Sequence, residues 1–359
     1  MAKSYIRIPI LDTAARCGLV LNTRTLGRSE VEASCPFCGD HGPGKYHLSL
    51  NTDKDQYRCN LCDAGGNSIT LYARIKGVTN KEAYRELTGG SSEYMEPTQP
   101  VPQNTERQPV SLEVRNAVYS EMLSFLTLLP EHRANLIERG LDDERIERNG
   151  YKSMPTDEAS RRLLAKLVGA NCDLIGVPGF YTRYGEWTLA GPNGFLIPVR
   201  NKDGLIQGIK IRLDDSAPNR KYRWLSSRDK HFENGTRSYS WIHVTGDRSK
   251  KRAFLTEGPL KGDIASFLAN DALFVCTGGV NAANGLKETI ESLGVTEVVE
   301  AFDMDQFQKP EVMRGVQKIR QELQTIPNVT YTRYTWNPMF KGIDDYFLSR
   351  VREKQRNGV

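Results

Sequence analysis

Four cysteines and a scattered set of carboxylates carry the chemistry this sequence offers. Cys35-Pro36-Phe37-Cys38 and Cys59-Asn60-Leu61-Cys62 are two CxxC pairs separated by twenty residues. Tight CxxC turns present soft thiolates as a tetrahedral zinc ion requires, and four of them close its shell. His41 and His47 lie nearby as substitute ligands, but the thiolates already suffice. The spacing therefore predicts one structural zinc ion holding a unit too small for a core of its own, with no open position for catalysis. Far downstream stand Glu257, Asp303-Met304-Asp305 and Asp344-Asp345. If they converge at one sheet edge, they would hold Mg²⁺ or Mn²⁺, hard cations that take oxygen ligands and serve phosphoryl transfer. Taken alone, an Asp-x-Asp after a strand reads equally well as a solvated turn.

The elements that must position these groups are legible in outline. Ile10 to Leu21 reads as a short helix after Pro9, and Ser68–Lys76 and Asn80–Leu87 as helices separated by Gly77. Tyr46–Leu50 and Gln56–Arg58 alternate as strands about an Asn-Thr-Asp-Lys-Asp turn. Lys45, Tyr46, Tyr57 and Arg58 would set basic and aromatic groups on those strands, a platform for single-strand stacking or an ordinary hairpin surface. A helical stretch from Leu112 to Val168 is broken near Pro130, Gly140 and Pro155. Strands follow at Phe195–Val199 and Leu205–Ile211. From residue 251 strand and helix alternate: Phe254–Thr256, Ile264–Leu268, Leu273–Cys276, Leu286–Leu293, Val298–Phe302 and Pro310–Leu323. The acidic residues fall just beyond strand ends, where α/β folds place their sites.

The expected fold class is α+β and multidomain. Residues 1–89 form a zinc-binding domain, 90–110 a flexible linker rich in Gly, Ser, Pro and Gln, and 111–250 the first part of a mixed α/β core. Residues 251–348 form a terminal α/β domain and 349–359 a basic tail. With 359 residues and 38% hydrophobic content, the chain can bury more than one core. A net charge of +5 hints only weakly at a polyanionic partner. Lys210, Arg212, Arg220, Lys221, Arg223 and Lys230 crowd the stretch before the acidic region and would face template and nucleotide phosphates. Cys17, Cys172 and Cys276 sit among apolar neighbours as buried thiols, so cysteine usage fits a reducing cytoplasm. No apolar run is long enough to span a bilayer, and no GxxxxGK[ST] phosphate loop occurs.

Glu257-Gly258 with Asp303-Met304-Asp305 resembles the toprim module shared by bacterial primases, topoisomerases and some nucleases. Three further segments resemble bacterial DnaG-type primases: Ile137 to Ile146 with its Arg139-Gly140-Leu141, the hairpin Phe195–Arg200 followed by Gly204–Gly208, and Lys221-Tyr222 ahead of Leu225-Ser226-Ser227. Their order, zinc ribbon, linker, core and toprim, is the family's. The resemblance implies a DNA-dependent RNA primase that makes short primers de novo on single-stranded DNA from ribonucleoside triphosphates. By position, Glu257, Asp303 and Asp305 would be catalytic, with Asp344 and Asp345 as later metal ligands. Arg139, Arg200 and Lys221 would lie near nucleotide or template, and a separate replicative helicase stands among the implied partners.

Three departures mark a divergent branch, such as one carried by a plasmid, phage or other mobile element. Cys38 stands where the family usually has His. Lys261 replaces the acid expected four residues after Glu257, with Asp263 as a shifted substitute metal ligand, and Gln306-Phe307-Gln308 replaces a small, Gly-containing turn. Two rival functions follow: a non-catalytic single-stranded-DNA-binding or replisome-loading protein, and a toprim nuclease.

Overall fold

The computed structural model describes residues 7–37, 44–59, 64–89, 108–216, 221–228, 232–279, 282–304 and 310–357. Two compact units divide the chain, Met1–Gln103 and Asn104–Val359.

The first unit is an antiparallel sheet flanked by helices. Strands β1 (Glu30–Ala33), β2 (Leu48–Asn51), β3 (Gln56–Cys59) and β4 (Gly65–Asn67) pair in sequence order. Helix α1 (Ile10–Arg16) is shorter than its sequence suggests, because Gly18 takes a left-handed conformation (φ 67°) and turns the chain away. Helices α2 (Ser68–Lys76) and α3 (Asn80–Thr88) each start on a capping box, Asn67 with Thr70 and Thr79 with Glu82, and each ends at a left-handed glycine. The alternating burial of β1 and β2 directs Val31, Ala33, Leu48 and Leu50 inward against Ile10 and Leu71.

The second unit opens with four helices, α4 (Leu112–Ser124), α5 (Pro130–Glu138), α6 (Asp143–Asn149) and α7 (Glu158–Gly169), with the short strand β5 (Lys152–Ser153) between the last two. A hairpin of β6 (Phe180–Arg183) and β7 (Glu186–Leu189) follows. Strands β8 (Gly194–Arg200), β9 (Ile206–Leu213) and β10 (Tyr222–Trp224) then make, with β5, a sheet ordered β10-β9-β8-β5. Six consecutive buried residues in β8 show that both of its faces are covered. Tyr119, Met122, Phe180, Leu196, Ile209 and Ile211 fill the core beneath.

The last sheet is built on β11 (His243–Thr245), β12 (Arg252–Glu257), β13 (Leu273–Thr277), β14 (Glu297–Glu300) and β15 (Thr330–Arg333), in the order β11-β13-β12-β14-β15. All pairings are parallel except that of β11 with β13. Helices α8 (Pro259–Leu268), α9 (Leu286–Leu293) and α10 (Pro310–Leu323) supply the crossovers. The chain leaves β12 towards β13 and then returns to place β14 on the other side, so β12 and β14 flank a topological switch point. Ligands of open α/β sheets bind at the carboxyl ends of such strands. Leu260 and Ile264 of α8 join Leu136, Ile146, Tyr151, Phe195 and Ile197 in one buried cluster. That burial, roughly 1.5–3 kcal/mol per large side chain, ties the sheet to the preceding helices.

Helix α11 (Ile343–Arg356) corrects the reading of residues 349–359 as a tail: through Arg356 they continue a helix whose Arg352 donates to the Glu138 carbonyl at 3.0 Å.

Candidate functional site

Glu257 is the last residue of β12, and Gly258 turns the chain at φ 84° so that Pro259 can open α8. Asp303 lies three residues beyond β14, buried, and Asp344 opens α11, also buried. The fold therefore brings together three carboxylates drawn from distant parts of the chain. Lys261, one turn into α8, reaches into their midst. Its ammonium donates to Asp303 Oδ1 and lies 3.9 Å from Glu257 Oε1. Burial works against that charge, but Asp303, Glu257 and Asp344 outweigh it and raise the lysine pKa. Lys341 adds a second cation 3.8 Å from Asp303 Oδ2, and Arg139 closes the far side with an ion pair to Asp344 Oδ2 at 2.8 Å.

Asp345 and Asp263 take other places. Asp345 is exposed and accepts the Gly342 amide at 3.4 Å as a helix cap. Asp263 faces away from the cluster, fully buried, accepting from His243 Nε2 at 3.0 Å and Tyr151 Oη at 2.8 Å. Burial opposes its ionisation, yet those bonds hold the carboxyl below its ordinary range. Asp305 lies outside the described residues, as do Cys38, Cys62, Arg220 and Lys230.

Lys210 of β9 is buried, with its ammonium 5.3 Å from the Trp224 ring centroid and 5.7 Å from that of Tyr222. Burial lowers its pKa to about 8, against the attraction of Glu257. Arg212 stacks on Tyr222, while Lys221 and Arg223 are exposed on the same sheet. Trp241 packs edge-on against Trp224 at 5.6 Å, and Tyr239 against Trp241 at 6.1 Å, extending an aromatic strip beside the basic residues. Arg200 bonds the Gly204 carbonyl within its hairpin. Lys341, Trp224 and Trp241 were not legible as site residues, because no spacing links them to the acidic motifs.

In the first unit Tyr57 is a correction. It is 3% exposed, packed against Phe37 in the sheet core, and burial raises its pKa, so it offers no stacking surface. Its position in β3 points inward, whereas Arg58 on the alternate face is half-exposed. Cys35 and Cys59 are both buried in the same cluster, and the Phe37 amide donates to Cys35 Sγ at 3.5 Å.

Among the described residues no group of three or more His, Cys, Asp or Glu side chains is arranged to hold a metal. Two observations nonetheless fit cations. The all-cysteine donor set, with an amide aimed at Cys35 Sγ, suits zinc. In the acidic cluster, Asp344 Oδ1 is buried with no donor, and a side-chain carbon at Gly342 would run into that atom, with Lys261 and Asp303 next around it. Such a grouping suits one hard cation. The gap between Glu257 and Asp303 is different, because Lys261 already fills it.

These features define a two-unit α/β protein with an acidic site at a switch point and a separate cysteine-bearing unit. No family model matches the chain. A curated DNA primase of Halalkalibacterium halodurans is 26% identical over 265 residues, 70% of this chain and 42% of that protein, so the chain spans less than half its relative's length. The zinc-binding and RNA polymerase domains of the Aquifex aeolicus primase share its fold with a TM-score of 0.50 and 16% identity, over 98% of this chain and 82% of that one. A DnaG primase catalytic domain bound to single-stranded DNA matches 69% of this chain and 79% of its own length, with a TM-score of 0.50 and 14% identity. In sequence the chain is similar to a bacterial DNA primase over part of its length, and it shares the fold of solved primase zinc-binding and RNA polymerase domains. No helix among the described residues is long and apolar enough to cross a membrane.

Proposed function

We propose that the chain is a DNA primase whose second unit joins ribonucleotides on a single-stranded DNA template. The observation that carries this reading is the convergence of Glu257, Asp303 and Asp344 around Lys261 at the switch point of a primase-like fold. In the reaction a ribonucleotide 3′-oxygen attacks the next α-phosphate, the hydroxyl proton is lost, and pyrophosphate leaves. A Mg²⁺ or Mn²⁺ ion held by Asp303 and Asp344, with Asp305, would supply Lewis-acid stabilisation of the phosphoryl oxygens.

The chain's own cations share the remaining work. Lys261 and Lys341 neutralise the carboxylates so that a polyphosphate can approach them. Lys210 faces Glu257 across the site from the aromatic strip, where Trp224 and Trp241 offer π-faces to bases. Arg212, Lys221 and Arg223 track backbone phosphates, so template binding falls with salt. Fixing two nucleotides together is much of the task of initiation. The cysteine unit, with one zinc ion held by Cys35, Cys38, Cys59 and Cys62, engages template through Arg58 and its neighbours.

Labelled NTPs, mixed-sequence single-stranded DNA and Mg²⁺ or Mn²⁺ provide the test, beside Glu257→Gln. Short products lost in the variant support the reading. Lys261 filling the Glu257–Asp303 gap favours a second one, a template-binding or loading protein without synthesis. Salt-sensitive DNA binding by both proteins with no product would establish it, and metal-dependent strand cleavage would indicate a nuclease.

A further inference from the structure

A second cavity, of about 330 Å³, opens away from the acidic cluster, where α6 and β8 meet the edge strand β11. Arg145, Arg148, Arg200 and Arg248 line it, together with Asp247, Asp263 and Asp271. The balance looks nearly neutral until the partners are followed. Asp263 is committed to His243 and Tyr151. Asp271 accepts from Arg145, and Asp247 pairs with Lys250 at 3.5 Å while accepting from Ser249. His243 is occupied on both ring nitrogens, its Nδ1 against the Arg200 backbone amide at 2.9 Å and its Nε2 against Asp263 at 3.0 Å.

Among the described residues, three guanidiniums make no direct ion pair with a carboxylate. Arg200 donates only to the Gly204 carbonyl and Arg248 to that of Val244, and Arg148 makes no ion pair among the described residues. Arg200 is half-buried: burial disfavours its charge most, Asp263 partly offsets that, and Arg248 disfavours it further. At the floor, Arg145 is 6% exposed and its Nε, one of the few buried polar atoms with no partner, completes the set. Buried donors and uncompensated charge are costly unless a ligand satisfies them. Guanidiniums arranged around a recess fit phosphate oxygens, which accept paired N–H donors.

We propose that this cavity is a binding site for a phosphate-bearing anion, separate from the acidic centre. Arg145 and Arg200 form its floor and Arg148 and Arg248 its exposed rim. Free polyphosphate and nucleic-acid backbone share the required chemistry, and the experiment separates them.

Inorganic pyrophosphate is titrated calorimetrically into the full chain in EDTA, which keeps metal-borne pyrophosphate out of the acidic centre. Arg148→Gln/Arg248→Gln, both exposed positions, should weaken binding about tenfold or more, whereas Asp303→Asn should leave it unchanged. Absence of binding by the unaltered chain, equal binding by the double variant, or loss of binding in Asp303→Asn would each overturn the proposal. A short oligothymidylate without terminal phosphate is the second arm. If it displaces pyrophosphate and itself binds the double variant more weakly, the site takes backbone phosphate; if it does neither, the site takes a free anion. Because no synthesis is measured, the result is independent of whether the chain primes.

Discussion

The Lys261 ammonium donates to Asp303 and stands 3.9 Å from Glu257, occupying the gap where two switch-point carboxylates would otherwise share a cation. Replacing it with an acid reverses the local charge and opens that gap. Lys261→Asp should therefore bind Mn²⁺ about tenfold more tightly than the unaltered chain, read by calorimetry or by the Mn²⁺ paramagnetic resonance signal. Lys261→Met should instead destabilise the second unit by about 3 kcal/mol, because Asp303 is left buried beside Glu257 with only the more distant Lys341.

Arg139 and Asp344 form a further ion pair of the site, with Asp344 almost wholly buried. Breaking such a pair strands a charge, so Arg139→Met should cost about 3 kcal/mol in urea denaturation. Adding Asp344→Asn to that variant should recover part of the loss, since the amide needs no counter-charge.

Lys210 and Lys261 should titrate stability in opposite senses. With the Lys210 pKa lowered to about 8, the unfolded chain holds more protons between pH 8 and 10.5, and the folding free energy gains with rising pH across that window. The gain is at most roughly 3 kcal/mol and should vanish in Lys210→Met. Lys261, whose pKa is raised, contributes stability at neutral pH that is lost only above the ordinary lysine range. Denaturation at pH 7 and pH 10 in EDTA, on Lys210→Met beside the unaltered chain, checks the first sign, and a further measurement above about pH 11 on Lys261→Met checks the second.

Gly342 is constrained by packing and not by its backbone angle. A methyl group there would run into Asp344 Oδ1 and press on Lys261. Gly342→Ala should abolish primer synthesis while template binding, measured by fluorescence anisotropy, stays within about twofold, because the basic and aromatic strip is untouched.

Zinc content near one ion per chain is expected by atomic absorption. Chelation should melt the first unit, whose core is small and includes Cys35 and Cys59, and leave the transition of the second unit in place. Changing Cys38 to Ser should have the same effect, and Cys38→His a milder one.

Much of this protein was written in local patterns. Helical patterning, with Gly77 as a break, placed α2, α3 and α9 within a residue of their observed ends, and apolar runs marked β8, β12 and β13. The order of motifs implied the fold that the Aquifex aeolicus primase shares. Local signals also named Glu257, Asp303 and Asp344, because each follows an apolar strand or opens a helix. Their limits were equally local. Alternation in Gln56–Arg58 marked a strand but not which face met the core, so Tyr57 was taken for a surface. The last residues looked like a basic tail, yet through Arg356 they are helical, with Arg352 donating to the Glu138 carbonyl. Above all, a lysine one turn after a glutamate is indistinguishable from a solvated helix residue until β14 and α11 bring Asp303 and Asp344 to it. Hydrogen-bond periodicity acts over a few residues and can be read from spacing. Charge partners across more than forty residues depend on how the sheet closes, and only the tertiary structure decided them.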